Sequence, residues 1–276
     1  MPAFFISATN DEIAPDPAEQ VACLQALGIA GIDIRSAWGK PIQHITNDEA
    51  AQLKKVCARA NITIQAIVGT AVPILLTTPL SDAIANLERL IALAQFFGTQ
   101  RIRITAGEIP PDTRSADFMG ASIGRLRHLA QLAEAAQITL LLENAPGTAG
   151  DIPGNIHSIL HGVKSAFVRL AWNPGNFVQA GVGEQVAEYQ GMLLKYVGDV
   201  CLHDANLNDK QPCLPGEGDG RLRELLTLLR AAEYAGNITL QPSLTDASGG
   251  GLDSAETLRL AAAMLPTLFS AAGIKA

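Results

Sequence analysis

Eight short apolar runs, each followed by a helical pattern, repeat from one end of this chain to the other. The runs cover residues 3–7, 31–35, 62–68, 101–105, 138–143, 168–173, 199–203 and 238–241, and consist mostly of Ile, Leu, Val and Thr. Near-continuous apolar runs of this length suit strands covered on both faces, as in parallel sheets. The intervening patterns predict helices over 17–27, 48–60, 82–97, 116–136, 154–162, 184–196, 221–235 and 254–271. Asp16, Asn47 and Ser81 stand as N-caps, Pro17 takes a first helical position, and Gly28 and Gly98 are stops. Eight such units in 276 residues predict an α/β fold of one domain, a (β/α)8 TIM barrel spanning 1–276. A doubly wound sheet uses the same alternation but seldom needs eight units, and no GxGxxG follows the first run.

Composition narrows the function classes. Hydrophobic residues make up 48% and charged residues 17%, enough for a buried core and unlike a disordered chain. A net charge of -7, with no basic run, argues against a nucleic-acid partner, which draws on clustered Lys and Arg. No apolar stretch reaches the roughly 18–20 residues that a membrane helix needs. The four cysteines, Cys23, Cys57, Cys201 and Cys213, show no CxxC spacing, so a reducing, cytoplasmic setting is expected.

In such a barrel the chemistry sits at the C-terminal ends of the strands. The residues there are Arg35, Gly69, Arg103 with Thr105, Glu143, Asn173, Cys201 with His203, and Gln241. Alternation sends every second side chain inward, so Glu143, Asn173, Cys201 and Gln241 are expected to converge at one mouth. Any single polar strand end can simply meet water; four on consecutive strands favour a shared site. His203 has two readings of equal weight, a titrating group in the site or a hydrogen-bonded structural residue. Arg35 and Arg103 either hold a ligand's carboxylate or phosphate oxygens or pair with Asp33, Glu143 or Glu108. Residues 69–78 could cover the mouth or pack against a helix, and Asp219 is expected to cap a helix. Trp172 should point outward, between strand and helix. His44, His128, His157 and His161 read as surface residues.

Several segments, taken in order, resemble the xylose isomerase-like superfamily, also called AP endonuclease family 2. Gly31-Ile32-Asp33-Ile34-Arg35 is similar to its second-strand G-x-E-x-R, and Glu143-Asn144-Ala145-Pro146 to the fifth-strand segment. Asn173-Pro174-Gly175-Asn176 resembles the sixth-strand D-P-G-N, and Cys201-Leu202-His203-Asp204-Ala205 the seventh-strand H-x-K-D-A. Gly216-Glu217-Gly218 and Gln241-Pro242 resemble the G-x-G loop and the eighth-strand E-P. The resemblance implies a sugar or sugar-acid isomerase or epimerase. It also implies a divalent metal held at the positions of Glu143, Asn173, Cys201 and Gln241, where the family has a carboxylate, Asp, His and Glu. Only Glu143 keeps the family's residue type. The family set carries a formal charge of -3 and this set -1 with Cys201 protonated.

Three functions stay open. One is the family's metal-dependent chemistry. The second is metal-independent proton transfer by Glu143 and His203, with Arg35, Arg103, Asn173, Asn176, Cys201 and Gln241 binding substrate. The third is a barrel that binds a small polyol or a protein without turnover. The expected partner is a sugar-like small molecule, with no nucleic acid and no membrane; a homo-oligomer stays open. No tightly bound cofactor is expected, only weak Mn²⁺ or Mg²⁺ binding. From the sequence, Asn173→Asp, Cys201→His and Gln241→Glu together should rebuild the ligand set and restore Mn²⁺ binding, as titration calorimetry would read.

Overall fold

The computed structural model describes residues 4–69, 76–244 and 254–274. Eight parallel strands close into a barrel. They are β1 (Phe5–Thr9), β2 (Gly31–Ile34), β3 (Thr63–Val68), β4 (Arg101–Thr105), β5 (Thr139–Glu143), β6 (Val168–Trp172), β7 (Val197–Leu202) and β8 (Asn237–Leu240). Each pairs with its sequence neighbours, and β8 closes onto β1 with Phe5 opposite Asn237. The helices are α1 (Pro17–Leu27), α2 (Asn47–Arg59), α3 (Leu80–Phe97), α4 (Met119–Ala135), α5 (Pro153–Val163), α6 (Pro174–Gln179), α7 (Gln185–Leu193), α8 (Leu222–Ala231) and α9 (Ser254–Ala271). The barrel expected from the sequence is the barrel observed.

Local chemistry explains the helix ends. Asp16 accepts from the Ala18 and Glu19 amides at the start of α1, and Gly28 closes it with φ 67°. Thr46, not Asn47, caps α2, in a capping box with Glu49. α6 was not expected. Asn173, read as the end of a strand, instead caps this helix, its side chain accepting from the Asn176 amide with Pro174 at the first position. The eighth helix starts with Arg221 at its N-cap, and Asp219 instead accepts from the Leu207 amide at 2.7 Å. The stretch 70–75, most of the segment read either as a cover for the mouth or as packed against a helix, lies outside the described residues.

Two interiors result. Between strands and helices lies a continuous apolar layer that includes Ile32, Ile67, Leu140, Leu142, Leu170, Trp172, Val200 and Leu202. The barrel's own interior is largely polar, lined by Ser7, Asp33, Arg103, Asp199, Asn237 and Thr239, all at most 1% exposed. Trp172 is fully buried in the outer layer, and its indole Nε1 donates to Gln185 Oε1 of α7 at 2.6 Å. Gln185 Nε2 in turn donates to the Gly220 carbonyl at 2.7 Å. Trp172→Ala removes a large apolar volume and leaves Gln185 without its donor. It should cost roughly 3–5 kcal/mol in chemical denaturation; a loss under about 1 kcal/mol would place the indole outside the core.

Candidate functional site

The barrel mouth is built around one buried cation. Arg103 comes from the middle of β4, points inward and is 1% exposed. Its Nη2 donates to Asp33 Oδ2 of β2, to Thr239 Oγ1 of β8 at 2.9 Å and to Asp199 Oδ2 of β7 at 3.3 Å. Its Nη1 donates to Gln241 Oε1 at 2.9 Å and lies 4.0 Å from Glu143 Oε2. Burial alone would lower the arginine's pKa, but the negative charge gathered around it, with Asp33, Asp199 and Glu143 beside it, raises it above its ordinary value. Burial also pushes Asp199 up to about 6, although Arg103 pulls it down, because Asp33 stands beside it. Cys201 is fully buried in the same region, and burial raises its thiol far above the usual range.

Above this cluster lies a second network. Glu143 ends β5 with 11% of its side chain exposed, whereas the Asp33 and Asp199 side chains are fully buried. Its Oε1 accepts from Asn173 Nδ2 at 2.7 Å and from Asn176 Nδ2 at 3.4 Å. Asn173 is gripped by Asn144, which accepts from its amide and donates to its carbonyl, both at 2.9 Å. With Asn173 Nδ2 facing Glu143, its Oδ1 must accept from His203 Nδ1 at 2.9 Å. His203 Nε2 is then the bare nitrogen, buried and without a partner among the described residues. Burial lowers the imidazole to about 4. The ring lies over Gly175, where a Cβ would come within 2.7 Å of it.

Arg35 stands at the rim, held to Asp11 at 2.6–2.8 Å and 3.6 Å from Glu12. Glu12 is buried and binds the Ser243 amide at 2.6 Å. The structure thus brings Glu143, Asn173, Asn176, His203, Arg103 and Gln241 into contiguous contact. It ties Arg35 to acidic partners on the β1 side.

Sequence reasoning gave no role to Asp199, Thr239, Asn144 or Asp204. Asp199 shares strand parity with Cys201 and could have been found that way. Asp204 carried a different signal, three glycines at alternate positions. Its fully buried carboxylate accepts from the amides of Gly216 at 2.9 Å, Gly218 at 3.1 Å and Gly220 at 2.9 Å. A Cβ on Gly218 would come within 2.4 Å of that carboxylate, so the glycines let the backbone wrap it.

The four family ligand positions do not fit a divalent ion here. Asn173 Oδ1 already accepts from Asn176 and His203, and Gln241 Oε1 from Arg103 and, at 3.4 Å, from Thr9 Oγ1. Their carbonyl lone pairs are occupied. A divalent ion about 4 Å from a guanidinium would meet repulsion of about 8 kcal/mol at an effective dielectric near 20. Among the described residues no group of three or more His, Cys, Asp or Glu side chains is placed to hold a metal, and no helix is long and apolar enough to cross a membrane.

A family model described as the xylose isomerase-like TIM barrel matches residues 21–265. A solved IOLI protein with a bound zinc atom superposes with a TM-score of 0.76 at 15% identity, covering 97% of this chain and 98% of that one. D-psicose 3-epimerase of Clostridium cellulolyticum H10 gives 0.74 at 15% identity, with 98% and 99% covered. A xylose isomerase domain protein of Planctomyces limnophilus gives 0.72 at 17%, with 99% of both covered. Likeness at this identity carries the fold alone. No curated protein matches the chain.

The depressed pKa of His203 makes a pH prediction. The folded protein holds the ring neutral down to about 4, while the unfolded chain takes up a proton near 6.5. Stability from this group is therefore complete above about 6.5 and is lost as pH falls toward 4, by up to about 3 kcal/mol in all. Asp199 and Glu12, both pushed upward by burial, act in the opposite sense, so the difference between parent and variant is the quantity to read. His203→Asn, whose amide can still donate to Asn173, should flatten the acid limb between pH 6.5 and 4 in urea denaturation. An unchanged limb would mean that the imidazole is not held neutral.

Proposed function

The chain belongs to the xylose isomerase-like TIM barrel family, and from that premise we propose that it is an isomerase- or epimerase-like barrel for a sugar or sugar acid, with Glu143 as its proton-transferring group. One observation carries this reading. Of the three carboxylates that surround Arg103, Glu143 alone retains exposure at the mouth. Its Oε1 is clamped by two amides, and its Oε2, 4.0 Å from Arg103 and beyond hydrogen-bond reach of it, is the oxygen that meets a ligand. A carboxylate so held can take a proton from the carbon next to a sugar carbonyl. Returning it to the former carbonyl carbon, while the neighbouring hydroxyl's proton passes to the former carbonyl oxygen, isomerises the sugar; returning it to the opposite face of the same carbon after the intermediate turns over epimerises it.

His203 is assigned a positioning role. Its Nδ1 fixes the Asn173 amide, whose Nδ2 holds Glu143. A neutral, buried imidazole supplies no proton at neutral pH. Asn176 and Gln241 are assigned hydrogen bonds to ligand hydroxyls at the rim. A cytoplasmic setting accords with the four cysteines, none of which forms a disulfide.

A second reading rests on the same geometry. Across Arg103 from Glu143 stands the amide of Gln241, which takes up no proton near neutral pH; this suits a barrel that binds a polyol without turnover. Deuterium exchange separates the two. Free ketoses and aldoses incubated in D₂O with the chelated protein should gain deuterium next to the carbonyl. Glu143→Gln should slow that exchange by about 10²–10⁴-fold while leaving ligand-induced thermal stabilisation in place. Stabilisation by a sugar with no exchange in the parent would select the binding barrel.

A further inference from the structure

We infer that Arg103 is the resident cation of this barrel, a guanidinium seated in a cage of oxygen atoms that closes the mouth to divalent metals. The cage is drawn from four separate elements. Asp33 Oδ2 comes from β2, Glu143 Oε2 from β5, Asp199 Oδ2 from β7, Thr239 Oγ1 from β8, and Gln241 Oε1 from the residue after β8. Three carboxylates, an amide carbonyl and a hydroxyl are the kinds of donor that hard cations such as Mg²⁺, Mn²⁺ and Ca²⁺ take, here spread around a guanidinium and not gathered as a group that holds an ion. Here all five surround the two terminal nitrogens of one side chain that cannot lose its proton.

The arrangement is specific in charge and in shape. A divalent ion can move in and out, but a guanidinium tethered to β4 is present in every molecule and fixes its partners by directed hydrogen bonds. It neutralises one of the three carboxylates and donates to the Gln241 carbonyl, so an amide there serves the network where a carboxylate would add charge. Asn173 is matched to the same logic: its Nδ2 donates to Glu143, a bond an Asp carboxylate could not make. Both amides thus belong to a site organised around an internal cation. The expectation that restoring family ligands alone would recover Mn²⁺ binding changes accordingly: with Arg103 in place, it fails.

The test reads metal binding and is independent of any activity. Mn²⁺ is titrated against chelated protein, free Mn²⁺ is followed by electron paramagnetic resonance, and thermal unfolding is recorded with and without the ion. The parent should leave Mn²⁺ free, with a Kd weaker than about 1 mM. Arg103→Met, which removes the guanidinium at similar length and lets the carboxylates close on an ion, should bind about one equivalent at least tenfold more tightly and gain thermal stability from Mn²⁺ that the parent does not. Folding of this variant only when Mn²⁺ is present also supports the inference. One tight equivalent in the parent, abolished by Glu143→Gln, would overturn it, as would a folded Arg103→Met that leaves Mn²⁺ free. Should Arg103→Met fold under neither condition, the near-isosteric pair Asn173→Asp with Gln241→Glu, Arg103 retained, decides. No binding by that pair supports the resident cation, and one tight equivalent refutes it.

Discussion

A single buried guanidinium organises the interior of this protein. Arg103 reaches from β4 to carboxylates on β2 and β7 and to the end of β8, so opposing sectors of the barrel are joined through one planar group. Burying a charge costs several kcal/mol unless its partners compensate, and removing one partner exposes the full penalty. The cluster is therefore set as a unit. Asp33 and Asp199 can lie in a sealed interior because Arg103 is between them, and Thr239 and Asn237 supply further hydrogen bonds. The polar interior is thereby fixed below the mouth, and Glu143 is the acidic group left facing outward.

The upper network depends on that base. Asn173 works as a hub because an amide both donates and accepts. It caps α6, holds Glu143 and receives the His203 proton in one residue. The backbone supports it on two sides, through the paired bonds from Asn144 and through Gly175, whose amide donates to the His203 carbonyl at 2.9 Å. Asp204 extends the same rigidity outward. Its carboxylate pins the glycine loop, and the Gly220 carbonyl meets Gln185, the partner of Trp172. Strand β6, helices α6 and α7 and the loop after β7 are linked by this chain of buried hydrogen bonds.

Solved structures at 15–17% identity share the fold with this chain, but one barrel hosts many reactions. What distinguishes this chain lies in side-chain chemistry at the strand ends. The amides at Asn173 and Gln241, where the resemblance implies carboxylates, are consistent with one another once Arg103 is seen among them, since each makes a bond to this network that a carboxylate would make differently or not at all.

The sequence by itself determined the barrel and the ring of residues at its mouth. Apolar runs of strand length alternating with helical patterns permit few closed arrangements, and the two-residue period of a strand assigns inward and outward faces. That is why the convergence of Glu143, Asn173 and Gln241 and the outward turn of Trp172 were readable. The partners of Arg103 were readable only in part: Asp33 and Glu143 stood among the candidates, but Asp199, Thr239 and Gln241 did not. Those three lie 96, 136 and 138 residues from it along the chain, and the register shifts in β2 and β6 disturb the simple period. The end of β6 was misread as well, because Asn-Pro-Gly-Asn reads as the close of a strand until Asn173 is seen capping a helix. Only the closed tertiary structure decided whether Arg103 faces a ligand or a ring of carboxylates, because that choice depends on distances across the barrel, and no local pattern encodes them.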